Sequence, residues 1–388
     1  VGETFDPLSD VCLPWVEMVR SARRDRLSHG FGEEFSTVLH VVLLLGCAVV
    51  IYLACEWFVN AVEWLGVRLQ FGPIAVGTIL AAAGTALPES VVTLVAVLFG
   101  SKEHGSDIGV GAAMGGPLVV GTIAYGVTGA MILWRYRKKR AKVLATVGGG
   151  SGPSTEDGGE DSPGLDTVDT RRLARDQSWF LAIFVVKVAL GLVAFAWKPW
   201  LGLVFFAAYA LYFWHETRSG DDGHSGDDVE PLKIQPRRAV PSTAAVWIQT
   251  LAALGVVFVA SQVFVRQLEW AGPALGLPSV VVALLLSPIA TELPEIMNAI
   301  IWVRQGKTQL AVANISGAMM IQATVPSGLG LLFTPWHFTS APLLAGLATI
   351  ASVLYLLWVM RSGRITGGRL LVAAGFYVLF AVGLVLTV

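Results

Sequence analysis

Gly84-Thr85-Ala86-Leu87-Pro88-Glu89 reads GTALPE, and Ala290-Thr291-Glu292-Leu293-Pro294-Glu295 reads ATELPE. Each hexapeptide lies inside a long apolar stretch, where a carboxylate is costly and a proline removes a backbone donor. The copies stand 206 residues apart, Glu89 to Glu295, and the same offset carries Phe58–Trp64 (FVNAVEW) onto Phe264–Trp270 (FVRQLEW). Agreement over two separated blocks identifies an internal duplication with an ionisable residue buried in each half. Such residues mark ion or substrate paths through a membrane.

The surrounding composition supports that setting. Of 388 residues, 54% are hydrophobic and 14% charged, whereas a soluble domain carries about 25% charged residues. Mean hydropathy is +0.66. Ten apolar segments approach the roughly 20 residues a spanning helix needs: 37–65, 71–99, 107–134, 179–197, 199–215, 244–266, 277–303, 308–333, 339–360 and 368–388. Lys187 sits awkwardly in the fourth and is expected to face a neighbouring helix or to snorkel. A net charge of −1 gives no nucleic-acid footprint. Cys12, Cys47 and Cys55 form no CxxC pair, and the last two read as packing residues of one helix. Residues 1–34 form a polar extracytoplasmic segment in which no signal peptide is recognised.

Two polar stretches divide the array. Residues 143–178 include GGGSGPSTEDGGEDSPG, and 217–242 include RSGDDGHSGDDVEP; both have the composition of disordered linkers. The second separates a first repeat, 35–216, from a second, 243–388. Basic residues concentrate on the side reached after odd-numbered spans: Arg68, the run Arg135–Lys142, Arg237, Arg238, Arg304, Lys307, Arg361 and Arg364. That side is read as cytoplasmic, despite the N-terminal group Arg20, Arg23, Arg24 and Arg26, so both termini are expected outside. Five spans per half is an odd number, so the second copy inserts upside down. The expected fold is therefore an all-α polytopic membrane protein of about ten helices in two inverted five-helix repeats.

Gly84 with Pro88, and Ser287-Pro288 with Pro294, predict broken helices near mid-membrane. Unwound backbone survives there only when it lines a cavity or is covered by protein. The carbonyls it frees near Ala81–Gly84 and Ser287–Ala290, the hydroxyls of Thr85 and Thr291, and the carboxylates of Glu89 and Glu295 make an oxygen-only donor set. Such donors suit hard cations such as Ca²⁺ and Na⁺. The absence of His and Cys beside the motifs argues against a zinc or copper site.

GTALPE and ATELPE, each inside a five-helix repeat, resemble the alpha repeats of the cation/calcium exchanger superfamily, whose motif is close to GTSLPE and is followed by a helix beginning near GNxxGSN. Gly84, Thr85, Leu87, Pro88 and Glu89 match the first copy; Thr291, Leu293, Pro294 and Glu295 match the second. Asn314 and Gly317 keep part of the following helix in the second repeat. The departures are concentrated in the first half. The family serine is Ala86 in one copy and Glu292 in the other. Ala112, Gly116 and Pro117 stand at polar family positions, as do Ala318 and Met319, while Gln322 falls where a further polar ligand is common. Three carboxylates in one low-dielectric site repel each other, so a proton shared or exchanged with the cation is expected.

The resemblance implies an antiporter working by alternating access. Glu89 and Glu295 would bind the metal, with Thr85, Thr291, Glu292, Asn314 and Gln322 as further ligands. Spans 2, 3, 7 and 8 would form the central bundle and spans 1 and 6 a sliding pair. Ca²⁺ against Na⁺ is the leading exchange, and a divalent cation against H⁺ the alternative. An uncoupled channel or sensor of the same fold would conduct without counterflow. An intramembrane hydrolase would need an HExxH, GxSxG or Asp-pair motif, and the apolar stretches carry none. Simpler roles stand beside these: the threonines could bond back to their own helices, Glu292 could face water, and Trp64 and Trp270 could mark the membrane interface. No cofactor and no obligate protein partner is expected, only inorganic cations and lipid.

Overall fold

The computed structural model describes residues 9–68, 86–147, 169–218 and 230–387, with side chains described from 36 onward except at 66, 139–147 and 216–218. Helix α1 runs from Ser9 to Arg68. α2 is Leu87–Phe99, with Pro88 in its first turn, where the missing N–H removes no bond. α3 (Gly105–Val119) and α4 (Tyr125–Val147) are joined through a π turn, Val120–Ala124, that follows Pro117. α5 (Thr170–Leu192) is capped by Asp169, which accepts from the backbone of Arg171 and Arg172. A 3₁₀ turn at Lys198–Trp200 leads into α6, Leu201–Arg218.

The second half opens with α7 (Thr243–Leu275), capped by Ser242 and ended by Gly276 in the left-handed region at φ +65°. α8 (Ser279–Thr291) and α9 (Leu293–Gln305) meet at Glu292 and are bent by 42°. α10 (Thr308–Phe333), α11 (Ser340–Arg361) and α12 (Gly367–Thr387) complete the chain. Six described helical stretches are long and apolar enough to cross a membrane, and the bent pair makes a seventh. α5 and α6 occupy the two short expected spans. α2 is the described half of the expected second span; residues 69–85 lie outside the described residues.

Burial sorts the helices into layers. The apolar windows of α10 and of α3–α4 are 78% and 72% buried, against 33% for α1 and 22% for α12. α3 and α10 therefore form the interior, with α2, α8 and α9 packed on them, and α1, α7 and α12 turn toward lipid. α3 approaches α8 closely through Gly111 and Gly115: a Cβ on either would lie within 2.6 Å of a backbone carbonyl of α8. One apolar core joins α3, α4, α5 and α8 to α12; a second joins α1, α2, α3, α7 and α8.

Two expectations about polar segments need correction, and the structure adds the form of a third segment. The first linker is shorter than 143–178, because α4 continues to Val147 and the Asp169 cap starts α5 at Thr170; residues 148–168 lie outside the described residues. The N-terminal segment is helical from Ser9, continuous with the first span; its Arg and Glu residues are good helix formers. The second correction concerns 230–242, which is a strap docked between α1 and α7 rather than a loose linker. Leu232 is buried, Trp64 donates to Glu230 O at 2.9 Å, and Asn60 Oδ1 accepts from Lys233 N at 3.0 Å. Gln249 of α7 donates to that same Asn60 oxygen and accepts from Ile234 N. Arg68 also reaches Pro241 O. Composition alone gave no sign of this, since the docking depends on a few residues at the strap's end.

Candidate cation site

The two motif copies meet where α2 and α9 face α3 and α10. Glu89, in the first turn of α2, is wholly buried, and among the described residues its two oxygens take no hydrogen bond. It lies within electrostatic reach of Glu292, Lys187 and Glu295. Gly116 of α3 makes room for its carboxyl group: a Cβ there would stand 2.5 to 2.7 Å from the Glu89 carboxyl atoms. The family's polar position is thus vacated for the carboxylate of the neighbouring helix.

The second copy is arranged differently. Glu292 is the hinge between α8 and α9, with φ −100° and ψ −4°, and only this residue separates the two helices. The break is tighter than the sequence suggests. Pro288 O still accepts Glu292 N at 3.0 Å, and Ser287 O accepts Thr291 Oγ1 at 3.3 Å, so those carbonyls are engaged rather than free. Ala290 O is different, because the residue four positions on is Pro294, which has no N–H to give. Glu292 faces inward and is fully buried. Thr291 donates to its Oε1 at 2.7 Å, and Gln322 of α10 donates to its Oε2 at 2.5 Å. Thr291 therefore does more than bond back to its own helix. Glu295, one turn further, is also fully buried.

Asn314 of α10 is buried, and among the described residues neither atom of its amide has a partner. A buried amide without hydrogen bonds carries a penalty of about 1–3 kcal/mol, which a cation or its water would offset. Thr85 and the carbonyls near Ala81–Gly84 lie outside the described residues. Of the seven sequence-predicted ligands, the structure brings Thr291, Glu292 and Gln322 into direct contact. It sets Glu89 and Glu295 within reach of each other's charge. Among the described residues no three His, Cys, Asp or Glu side chains converge to chelate one ion. The donor set suits two carboxylates completed by amide, hydroxyl and carbonyl oxygens, the mixture hard cations accept.

Four buried hydroxyls have no hydrogen-bond partner among the described residues, and the sequence reading gave none of them as a ligand: Thr93, Ser261, Ser287 and Ser327. Thr93 is one turn past Glu89, so it shares that helical face, and this spacing was visible in the sequence. Ser287 is one turn before Thr291. Ser261 corresponds by the 206-residue offset to Cys55, a buried residue of α1 within electrostatic reach of Glu295. The lost polar positions have their own structure. Ala86 and Ala318, both where the family carries serine, pack together in a small apolar cluster with Ile321.

The repeated Glu-Trp pairs fasten helices. Trp64 is buried under the strap, to which its indole donates a hydrogen bond. Trp270 stacks on His40 with centroids 4.2 Å apart, and Glu269 accepts from Ser101 N at 2.5 Å.

The sequence and the fold resemble those of known proteins. The family model described as "Sodium/calcium exchanger protein" matches residues 39–217 and 245–386. The inner membrane protein YrbG of Escherichia coli (strain K12) is 24% identical over 298 residues, covering 76% of this chain and 79% of that protein. Among solved structures, the H⁺/Ca²⁺ exchanger CAX superposes with a TM-score of 0.63 at 17% identity, covering 89% of this chain and 82% of that one. The sodium-calcium exchanger NCX_Mj gives 0.54 at 17% identity, over 89% and 99%. These likenesses are to the ten-helix exchanger fold, in a family of membrane antiporters and not of enzymes. The chain belongs to the sodium/calcium exchanger protein family.

Proposed function

We propose that this protein exchanges Ca²⁺ for Na⁺ across the cell membrane, binding the ion between Glu89 of the first repeat and Glu295 of the second. The observation that carries the reading is Glu89 itself: a fully buried carboxylate with no hydrogen bond from the described residues, within electrostatic reach of two further carboxylates. A carboxylate held this way is strongly destabilised unless a cation reaches it. Asn314, Thr291 and Gln322 complete the shell, and Thr85 is proposed with them from its place in the motif. α1 and α7, tied together by the strap and by the His40–Gln267 contact of 2.6 Å, are proposed to slide as one unit and expose the site to each side in turn. Both termini are proposed to lie outside, from the distribution of basic residues.

Exchange against H⁺ is the second reading, and Glu292 favours it. This third carboxylate at the hinge is an additional ionisable group in the same cluster. It is held by hydrogen bonds from Thr291 and Gln322 and, as the ionisable group in excess of the pair Glu89 and Glu295, is proposed to carry the proton.

Uptake of ⁴⁵Ca²⁺ into proteoliposomes of the purified protein tests the choice. An outward Na⁺ gradient should drive uptake, and an outward H⁺ gradient alone should not. Uptake driven only by protons would replace the first reading with the second. Uptake that dissipates without any counter-ion would indicate a channel.

A further inference from the structure

Lys187 lies within α5 with no exposed surface, and the exchange reading makes no use of it. Its Nζ donates to Ala113 O at 2.7 Å and to Gln322 O at 3.4 Å. Both acceptors have the same origin. Pro117 stands four residues after Ala113 inside α3, and Pro326 four residues after Gln322 inside α10. Proline offers no N–H, so each of these carbonyls has lost its helical donor. α3 and α10 are the helices that follow the motif in the two repeats. The ammonium therefore bridges the halves through matching defects in their backbones.

Two aromatic faces complete the surroundings. Nζ lies 5.1 Å from the Phe184 ring centroid and 6.0 Å from that of Trp336, within the range at which rings attract cations. Trp336 is itself fixed: it is fully buried, sits at φ +47°, and donates Nε1 to Lys187 O at 3.2 Å. Carbonyl oxygens released by broken helices are the donors with which transporters hold monovalent cations. Here a side chain of the protein fills such a place, and its charge is felt by Glu89.

We propose that the Lys187 ammonium, held between α3 and α10, is a resident cation of the transport site that takes the place of one monovalent ion and so reduces by one the number exchanged per divalent ion. This rests on the exchange reading and specifies its stoichiometry. The simpler alternative is that Lys187 only ties α3 to α10.

Direct counting of bound ²²Na⁺ per chain, on the purified full chain in detergent, separates the two. Lys187→Gln keeps N–H donors for the two carbonyls but removes the charge; Lys187→Met removes both. The proposal expects saturating ²²Na⁺ to rise by about one ion per chain in each variant. Counts equal to wild type would overturn it. Should Lys187→Met aggregate, Lys187→Gln decides alone. Displacement of ²²Na⁺ by Ca²⁺ in the wild-type protein is read in the same experiment. Its failure would contradict the exchange reading whatever the variants show, and its success with unchanged variant counts would contradict only the role of Lys187.

Discussion

The two motif copies hold their glutamates in opposite ways. In the second repeat Glu292 is fastened by Thr291 and by Gln322 of α10, and the hinge it forms is a single residue. In the first repeat the same position is Ala86, which packs on Ala318, and Glu89 is left with a glycine beneath it and no hydrogen bond from the described residues. One half carries a braced polar network at this position; the other has an apolar contact there and a carboxylate with no hydrogen bond from the described residues, within electrostatic reach of Lys187, Glu292 and Glu295. A duplicated sequence has thus diverged into a positioning half and a charge-presenting half. Electrostatic free energy explains why the difference matters. A buried hydrogen-bonded carboxylate is partly compensated by its donors, whereas a bare one depends on the ion that reaches it.

This contrast orders the expected effects of mutation. Glu89→Gln should be the most damaging, weakening ⁴⁵Ca²⁺ binding by about 100-fold or more, since removing one partner of a buried ionic contact costs about 3–5 kcal/mol. Glu292→Gln should cost less, because Thr291 and Gln322 still hold the side chain. Equal losses at the two positions would erase the proposed division between the halves. Gly116→Ala comes next. The added Cβ would collide with the Glu89 carboxyl group, the movable end of a flexible side chain, so the carboxylate should be displaced while the helix stays in place. An affinity loss of about tenfold, or 1.4 kcal/mol, is expected in binding titrations, with unchanged elution in size-exclusion chromatography.

Thr291→Val removes one donor to a charged acceptor, worth about 1.5–3 kcal/mol when buried. Its effect should appear in the transport rate more than in folding, because the Gln322 bond remains. The smallest effect belongs to the periphery. Trp64→Phe deletes the bond to Glu230 O while keeping most of the apolar contact. It should lower stability by about 0.5–1.5 kcal/mol, seen as a modest fall in Tm and faster proteolysis of the strap. The corresponding Trp270→Phe change, at a residue that stacks on His40 without a strap, should leave proteolysis there unaffected.

Much of this was legible in the sequence because it depends on local order. The hexapeptide repeat, the 206-residue offset and the alternation of apolar and polar stretches located the spans, the hinge and the paired glutamates. What could not be read depends on residues brought together across the chain. Gly116 looks like a lost ligand until α3 is set beneath Glu89. Lys187 looks misplaced until the carbonyls opposite Pro117 and Pro326 are seen to converge on it. The strap at 230–242 has an acidic, glycine-rich preceding sequence, and its order comes from Leu232, Asn60 and Gln249 meeting in space. Conversely, Ser287 and Pro288 promised free carbonyls, yet the Thr291 hydroxyl engages the first and the Glu292 amide the second.

The account rests on Glu89 and Glu295 acting together on one ion, so the most direct measurement is Na⁺-gradient-driven ⁴⁵Ca²⁺ uptake into proteoliposomes holding wild type, Glu89→Gln or Glu295→Gln. The expected result is uptake in the wild type and none above protein-free vesicles in either variant, with both variants folded and inserted. Gradient-driven uptake that survives in either single variant would contradict a site shared between the repeats.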